Sequence, residues 1–192
     1  LFEVSRGRRH AETLVPAIEF LCRQADITLE ELGCIAVDVG PGLFTGMRVG
    51  IAAAKAIAFA LRVPMIGVSS LDLLAFPVRF SPRLIVSAID ARRGELYYAF
   101  YRQVPGGVQR ISEHAVGSAD DLASELLATG EDALLVGDGA HRYREAFDGL
   151  ARVEIVDPGN SHPSAASLVQ LAHAQALRED YHRIDEIEPI YL

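Results

Sequence analysis

The chain has 192 residues, half of them hydrophobic and under a quarter charged, with a formal net charge of −8. That length allows one large domain or two lobes of about a hundred residues each, and that composition excludes a disordered chain. The negative charge argues against autonomous binding to a phosphate backbone.

The first element is "LFEV", a short strand that opens without an initiator methionine. It reads as a strand joined in progress, so a segment is expected to be missing before Leu1. "TLVPAIEFLCRQA" follows, with Leu14, Val15, Ile18, Leu21 and Cys22 spaced for one face of a helix. Pro16 lacks an N–H and fits only a first turn at low cost, so the regular helix is expected to start near Thr13 or to kink there. Two cysteines, Cys22 and Cys34, with eleven residues between them read as neither a disulfide framework nor a metal knuckle, and a cytoplasmic location is the default.

"CIAVDV" is a short, nearly continuous apolar run, as in a buried parallel strand. The loop "GPGLFTGMR" carries it into a helix from about Thr45 to Leu61. "MIGVS" is the next strand and "SLDLLA" a short helix. Helices between strands imply parallel crossovers. No run of eighteen apolar residues occurs. The nearest approach, Val49 to Leu61, is broken by Lys55 and flanked by Arg48 and Arg62, so no membrane association is expected.

The second half begins differently. "LIVSAID", "ELYYAFYR" and "VQRISEHAV" are separated by "ARRG" and "VPGG", which reads as an antiparallel meander. "SADDLASELLA" is a helix with Ser118 as N-cap and Asp121 as its capping-box partner. "ALLVGD" is a strand, "AHRYREAF" a short helix, "VEIV" a strand and "HPSAASLVQLAHAQALRE" a long final helix. The order of elements in the two halves describes an α/β, two-lobed actin-like fold (ASKHA, RNase H-like), each lobe a mixed sheet with helices. The lobes are expected at residues 1–80 and 81–192. The last helix, over 163–178, is expected to pack back toward the first lobe.

The glycine loop fits neither common nucleotide pattern. Gly42 and Gly46 are separated by three residues and followed by Met47 and Arg48, so a Walker A loop fails. Gly40, Gly42 and Gly46 have the wrong spacing for a dinucleotide fingerprint, and no acid closes the next strand. A strand-to-helix turn whose glycines serve tight packing stays open beside phosphate binding.

The helix after the loop is the more telling feature. Arg48, Lys55 and Arg62 recur every seven residues as one narrow basic stripe. Gly50 and Ala54 leave a face almost without side chains, extended by Ile57 and Leu61. A surface this apolar needs covering on two sides: by its own sheet, and by the helix from Thr13, a second copy or another protein.

"RHAETLVPAI", "VDVGPGLFTGMRVGIAAAKAIAFAL", "GVSSLDLLA", "IDARRGELYYAFY", "LLVGDG" and the terminal "PIYL" together resemble the bacterial TsaB (YeaZ) family of tRNA threonylcarbamoyladenosine biosynthesis proteins, within the glycoprotease-like M22 group. The resemblance covers essentially the whole chain. Leu43 and Met47 depart mildly from its loop pattern, carried here by Gly40, Pro41, Gly42, Phe44, Thr45, Gly46 and Arg48.

The resemblance implies an accessory subunit without catalysis of its own. Such a subunit pairs with and activates a TsaD-type transferase, works with a TsaE-type ATPase, and touches tRNA only indirectly. It implies a homodimer when the transferase is absent. The first two helices would form the pairing surface, through Leu14, Ile18, Leu21, Gly50, Ala53, Ala54, Ile57 and Leu61. It implies no cofactor for the chain alone, with ATP or ADP a candidate at the interface with the partner. The first hairpin of lobe one, which in this superfamily holds a phosphate loop, is expected to be absent before Leu1.

An ATP-dependent kinase-like or ATPase enzyme of the same superfamily is the alternative. Its candidate cleft residues are Asp90, in "IDARRGE", and Gly137, Asp138 and Gly139. For Asp90 the competing reading is hairpin geometry plus an arginine pair. No metal site is expected. The histidines show no i, i+4 pair, and position 14, four after His10, is a leucine.

Overall fold

The computed structural model describes residues 10–192, with side chains from residue 12 onward. The strand expected at "LFEV" lies outside the described residues. The described residues divide into two compact units, one reaching to Val68 and completed by 168–189, the other of residues 69–167 with 190–192.

In the first unit α1 (His10–Ala25) leads through a 3-10 turn to β1 (Ile35–Asp38), then α2 (Phe44–Leu61) and β2 (Met65–Val68). β1 and β2 pair in parallel, Ile35 opposite Met65 and Asp38 opposite Val68, so α2 is the crossover helix. It packs on β1, burying Ile51, Ala54 and Ala58. α2 stops because Arg62 turns left-handed, φ 56°, and its N–H caps the last carbonyls. α1 packs against α2 and contains Pro16 well inside, rather than beginning at Thr13. The proline leaves the Glu12 carbonyl without its usual helical donor.

The C-terminal segment returns to this unit. The His182 N–H donates to the Met65 carbonyl at 2.9 Å, and the Gly67 N–H donates to His182 Nδ1 at 3.3 Å. One histidine thereby satisfies two edge groups of β2. Beyond it, Ile187 is buried over Gly67, where an added Cβ would stand 2.9 Å from both Ile187 and Val39.

The second unit is built on β3 (Leu84–Arg92), β4 (Glu95–Val104), β5 (Gly107–Arg110), β6 (Ala115–Ser118), β7 (Ala133–Val136) and β8 (Val153–Ile155). The sheet order is β5-β4-β3-β7-β8, with β6 also on β4. β3, β4 and β5 run antiparallel in succession, whereas β7 and β8 are parallel to β3.

The run "VQRISEHAV", expected as one strand, is two. β5 pairs with Tyr101–Val104 and β6 with Glu95–Tyr98, so residues 111–114 loop out opposite Ala99 and Phe100. The Phe100 N–H there meets the Ser112 hydroxyl at 3.0 Å instead of a strand carbonyl.

Six consecutive β3 residues, Leu84 to Ile89, are buried. Leu84, Val86 and Ala88 face α4 (Ala119–Thr129) and α6 (Arg144–Phe147) in a core with Leu122, Leu126 and Phe147. Ile85 and Ile89 face α3 (Ser70–Ala75) with Leu71 and Leu74. This explains why the division falls after Val68, earlier than the expected 80: the leucines of α3 belong to the β3 core. α4 starts as expected, with Ser118 accepting the Asp121 N–H and Asp121 accepting the Ser118 N–H. The helix expected at "AHRYREAF" is two short ones, α5 (Asp138–Arg142) and α6, broken at Tyr143. The final helix, α7 (Ala165–Ala176), is grouped with the first unit from Leu168 onward.

Candidate functional site: a helical face and an arginine-clasped hairpin

The glycine loop is held from its strand end. Val39 donates to the Val68 carbonyl at 3.0 Å, and the Asp38 carboxylate accepts the Gly40 N–H at 2.9 Å. Gly40 has φ 94°, a conformation glycine reaches without steric cost, and Gly40–Pro41 is cis. Val39, Gly40 and Pro41 are buried while Leu43, Phe44 and Thr45 stand out, and Gly42 and Gly46 are half-buried. The Arg48 guanidinium lies 3.8 Å over the Phe44 ring, a cation–π contact one helical turn long. The loop therefore anchors β1 and displays the first turn of α2.

The pairing residues expected on the helices do not share one environment. Leu14 and Ile18 are half-buried, and Leu21 is exposed. Gly50, Ala53, Ile57 and Leu61 are half-buried, but Ala54 is buried with Ile51 and Ala58 on the inner side of α2. The outermost line of α2 is instead Thr45, Arg48, Ala52, Ala56 and Phe59, spaced three or four apart. Phe59 is 77% exposed, and Val15 and Phe20 of α1 are also exposed. The 3.6-residue period could have shown this line, since Phe59 follows Ala52 by seven and Ala56 by three.

α2 alone among the described helices has the length and mean hydropathy, 1.4 over 18 residues, to cross a membrane. Its place between two parallel strands of one sheet, with Ala58 fully buried, fits a docked crossover helix instead.

In the second unit Asp90 and the Gly137–Gly139 turn are brought together. Asp138 accepts the Asp90 N–H at 3.1 Å. The Asp90 side chain is 3% exposed and fully engaged. It accepts the Arg92 N–H at 2.9 Å and the Tyr143 O–H at 3.1 Å, and it pairs with Arg92 at 3.0 Å and Arg142 at 3.3 Å. Arg92 and Arg93 both have positive φ, so the clasp holds a turn that arginine adopts only at a cost.

The two glycines are consumed by close packing. A Cβ at Gly137 would stand 2.2 Å from the Ala88 carbonyl oxygen, and one at Gly139 2.4 Å from Leu96. These residues do not fit a phosphate-holding pair of loops: the carboxylate is saturated and the turn lies against β3.

One polar network has no counterpart in the sequence reading. Tyr101, 1% exposed, donates to Asp72 at 2.8 Å, while Ser69 accepts the Asp72 N–H at 3.0 Å. Arg110 lies 3.8 Å from Asp72 and also bonds His114 Nε2. Burial, then the neighbouring Asp72 carboxylate, pushes the Tyr101 phenol far above its ordinary range. Its members come from α3, β4, β5 and the loop after it, so only the sheet register assembles them. Among the described residues no group of three His, Cys, Asp or Glu side chains could hold a metal ion.

Comparison with known proteins agrees with this architecture. Residues 5–191 match the family described as "TsaD: tRNA N6-adenosine threonylcarbamoyltransferase". The chain is 27% identical to the tRNA threonylcarbamoyladenosine biosynthesis protein TsaB of Bacillus subtilis, over 94% of this chain and 82% of that one. It is 29% identical to TsaB of Haemophilus influenzae, over 96% and 80%. The solved structure of YeaZ from Pseudomonas aeruginosa superposes with a TM-score of 0.81 at 30% identity, covering 96% of this chain and 85% of that chain. A further Pseudomonas aeruginosa structure, described as similar to peptidase YEAZ, gives 0.83 at 31% identity, again over 96% and 85%. The fold is thus the actin-like, RNase H-like one expected. By the match along nearly its whole length, the chain belongs to the TsaD family of tRNA N6-adenosine threonylcarbamoyltransferases, and its relatives there are the TsaB (YeaZ) members.

Proposed function

We propose that this chain serves tRNA threonylcarbamoyladenosine biosynthesis in the cytoplasm as a non-catalytic subunit. It pairs through α1 and α2 with a TsaD-type transferase and activates it, alongside a TsaE-type ATPase. In the transferase's absence a second copy takes the same face. The role in the pathway is supported by the TsaB relatives.

The single observation that carries the pairing role is the exposure of apolar side chains on both helices of the first unit. Val15, Phe20, Leu21, Phe44 and Phe59 are each at least 38% exposed. Large apolar side chains exposed on two helices that pack against each other support an interaction surface there. The clasped Asp90 supports a structural hairpin rather than a general base of a kinase, because both its oxygens are already committed.

The test is Gly50→Glu. An added Cβ at Gly50 meets no atom within 4 Å, so the substitution starts without a clash in the monomer while its charge opposes the partner's approach. Loss of co-sedimentation with the transferase, with unchanged far-UV dichroism and lost threonylcarbamoyl transfer to tRNA, is the expected result. An intact complex with this variant overturns the assignment. Ala54→Arg is a poor substitute, since Ala54 is buried in its own unit and the change would disturb folding.

A further inference from the structure

We infer that His182 is an acid-sensitive latch: its neutral ring fastens the segment 182–187 to the edge of β2, and protonation releases it. Among the described residues, β2 has β1 as its one partner strand. On its other edge His182 stands in for a strand, as an isolated antiparallel bridge to Met65. Its backbone N–H donates to the Met65 carbonyl at 2.9 Å, and its ring Nδ1 accepts the Gly67 N–H at 3.3 Å. The ring thus occupies the place of a strand carbonyl, which requires a lone pair on Nδ1 and puts the proton of the neutral ring on Nε2. A second proton goes to Nδ1. It removes the acceptor and sets two N–H groups against each other.

The far anchor of the segment is Ile187, 2% exposed. It lies over Gly67, where an added Cβ would stand 2.9 Å from both Ile187 and Val39. Val39 leads into Gly40 and donates to the Val68 carbonyl at 3.0 Å, so the segment closes over the base of the glycine loop from which α2 starts. Between the anchors the chain bonds to itself. Glu186 accepts the Arg183 N–H at 3.0 Å, its own N–H donates to the Arg183 carbonyl at 3.0 Å, and Arg183 pairs with Asp185 at 2.9 Å. The two hydrogen bonds of His182 and the packing of Ile187 tie this turn to β2.

The charged neighbours of the ring come from three sides. β2 offers none, being Met65, Ile66, Gly67 and Val68. Arg62, just past α2, and Arg183 line one groove with His182, and Lys55 of α2 is felt at Asp185. Asp185 is held by two hydrogen bonds from Arg183, and Glu186 by the Arg183 N–H. Glu179, Asp180 and Tyr181 precede the ring, with the Tyr181 O–H on the Ala176 carbonyl. Of these residue types the imidazole is the one that ordinarily changes charge between about pH 5 and pH 8. Closed, the latch covers Val39 and the β2 edge; opened by acid, it uncovers both. The effect of opening on partner binding rests on the pairing role proposed above for α2, whereas the release itself does not.

Hydrogen exchange of the isolated subunit at about pH 7.5 and about pH 5.5 tests the release. Rates are corrected for the intrinsic pH dependence and referred to the β3 amides. Expected on acidification is a loss of protection of at least about fivefold at Gly67 and across 182–187, the size of one hydrogen bond. His182 is exposed, so its variants fold. His182→Ala should have lost this protection already at the higher pH. His182→Asn, whose Oδ1 accepts an N–H and does not titrate, should keep it at both. Equal protection of the parent chain at the two pH values overturns the inference, as does an acid-induced loss that persists in either variant. Affinity for the purified TsaD-type transferase, measured at the same two pH values, should fall about fivefold more for the parent chain than for His182→Asn. An equal fall overturns the link to pairing. A transferase that binds at neither pH defeats the pairing reading itself, and the exchange result then decides the latch alone.

Discussion

Asp90 closes on Arg92 twice: one carboxylate oxygen accepts the Arg92 backbone N–H at 2.9 Å, and the other faces its guanidinium at 3.0 Å. The consequence is a hairpin whose left-handed arginines are held by a buried acid. Asp90→Asn keeps the shape but gives up the charge. Because the Arg92 side chain is 59% exposed, solvent screens part of the loss. The expected destabilisation is about 2 kcal/mol, set mainly by weakened bonds to the Arg92 N–H and the Tyr143 O–H. Urea unfolding of the isolated subunit checks this. If Asp90 were instead a general base, transfer activity per folded complex would collapse while stability held.

Gly137→Ala tests the neighbouring turn. Gly137 sits at φ +117°, and its Cβ would lie 2.2 Å from a backbone oxygen that cannot swing away. Strain and overlap together are expected to cost about 3 kcal/mol or more, so the variant should be recovered unfolded or with a sharply lowered midpoint. Gly107→Ala, where nothing lies within 4 Å of the added methyl, is the matched control and should be nearly silent. Equal stability of the two variants would contradict the packing role of the Gly-Asp-Gly turn.

The same contrast shows what the sequence could and could not tell. Ser118 and Asp121 were legible because a capping box is local, three residues from end to end. The parallel pairing of β1 and β2 was legible because a helical run between two apolar runs leaves few alternatives. The division after Val68 was not, since it depends on which sheet the α3 leucines meet, a long-range fact. Ala54 was misplaced for a related reason: alanine carries no signal of its own, and only Ile51 and Ala58 on either side fix the inward direction of α2. The break between β5 and β6 hides in "ISEH", whose polar residues look like ordinary strand alternation until the Ser112 hydroxyl takes the Phe100 N–H. The Asp72, Tyr101, Arg110 and His114 cluster spans α3 to the loop after β5, and no spacing rule reaches that far.

His114 gives that cluster a pH signature. Burial, followed by the positive charge of Arg110, lowers its pKa below the ordinary 6.5. The folded state therefore binds the proton less readily than the unfolded chain does. Its contribution to stability is present above about pH 6.5, and it is lost as pH falls through the lower folded value. Urea midpoints measured from pH 7.5 down to pH 5 should decline, and His114→Gln should flatten the part due to this residue. A stability that rises on acidification, removed by the same substitution, would mean that Asp72 and Glu113 outweigh Arg110 at the ring.

Phe59 and Ala58 are neighbours in sequence with opposite roles, which makes them a paired test of the α2 face. Phe59 is 77% exposed and Ala58 fully buried. Replacing Phe59 by serine removes an exposed ring, so monomer stability should change by no more than about 0.5 kcal/mol. If the outward line of α2 is the pairing surface, affinity for the transferase should fall about tenfold or more, as for an aromatic anchor in an interface. Ala58→Leu forces extra methylenes into a packed site and should cost about 1–3 kcal/mol of folding. Calorimetry of binding beside thermal unfolding of each variant separates the two effects. Were Phe59→Ser to bind as tightly as the parent chain, the partner would have to sit on the α1 side, over Val15 and Phe20.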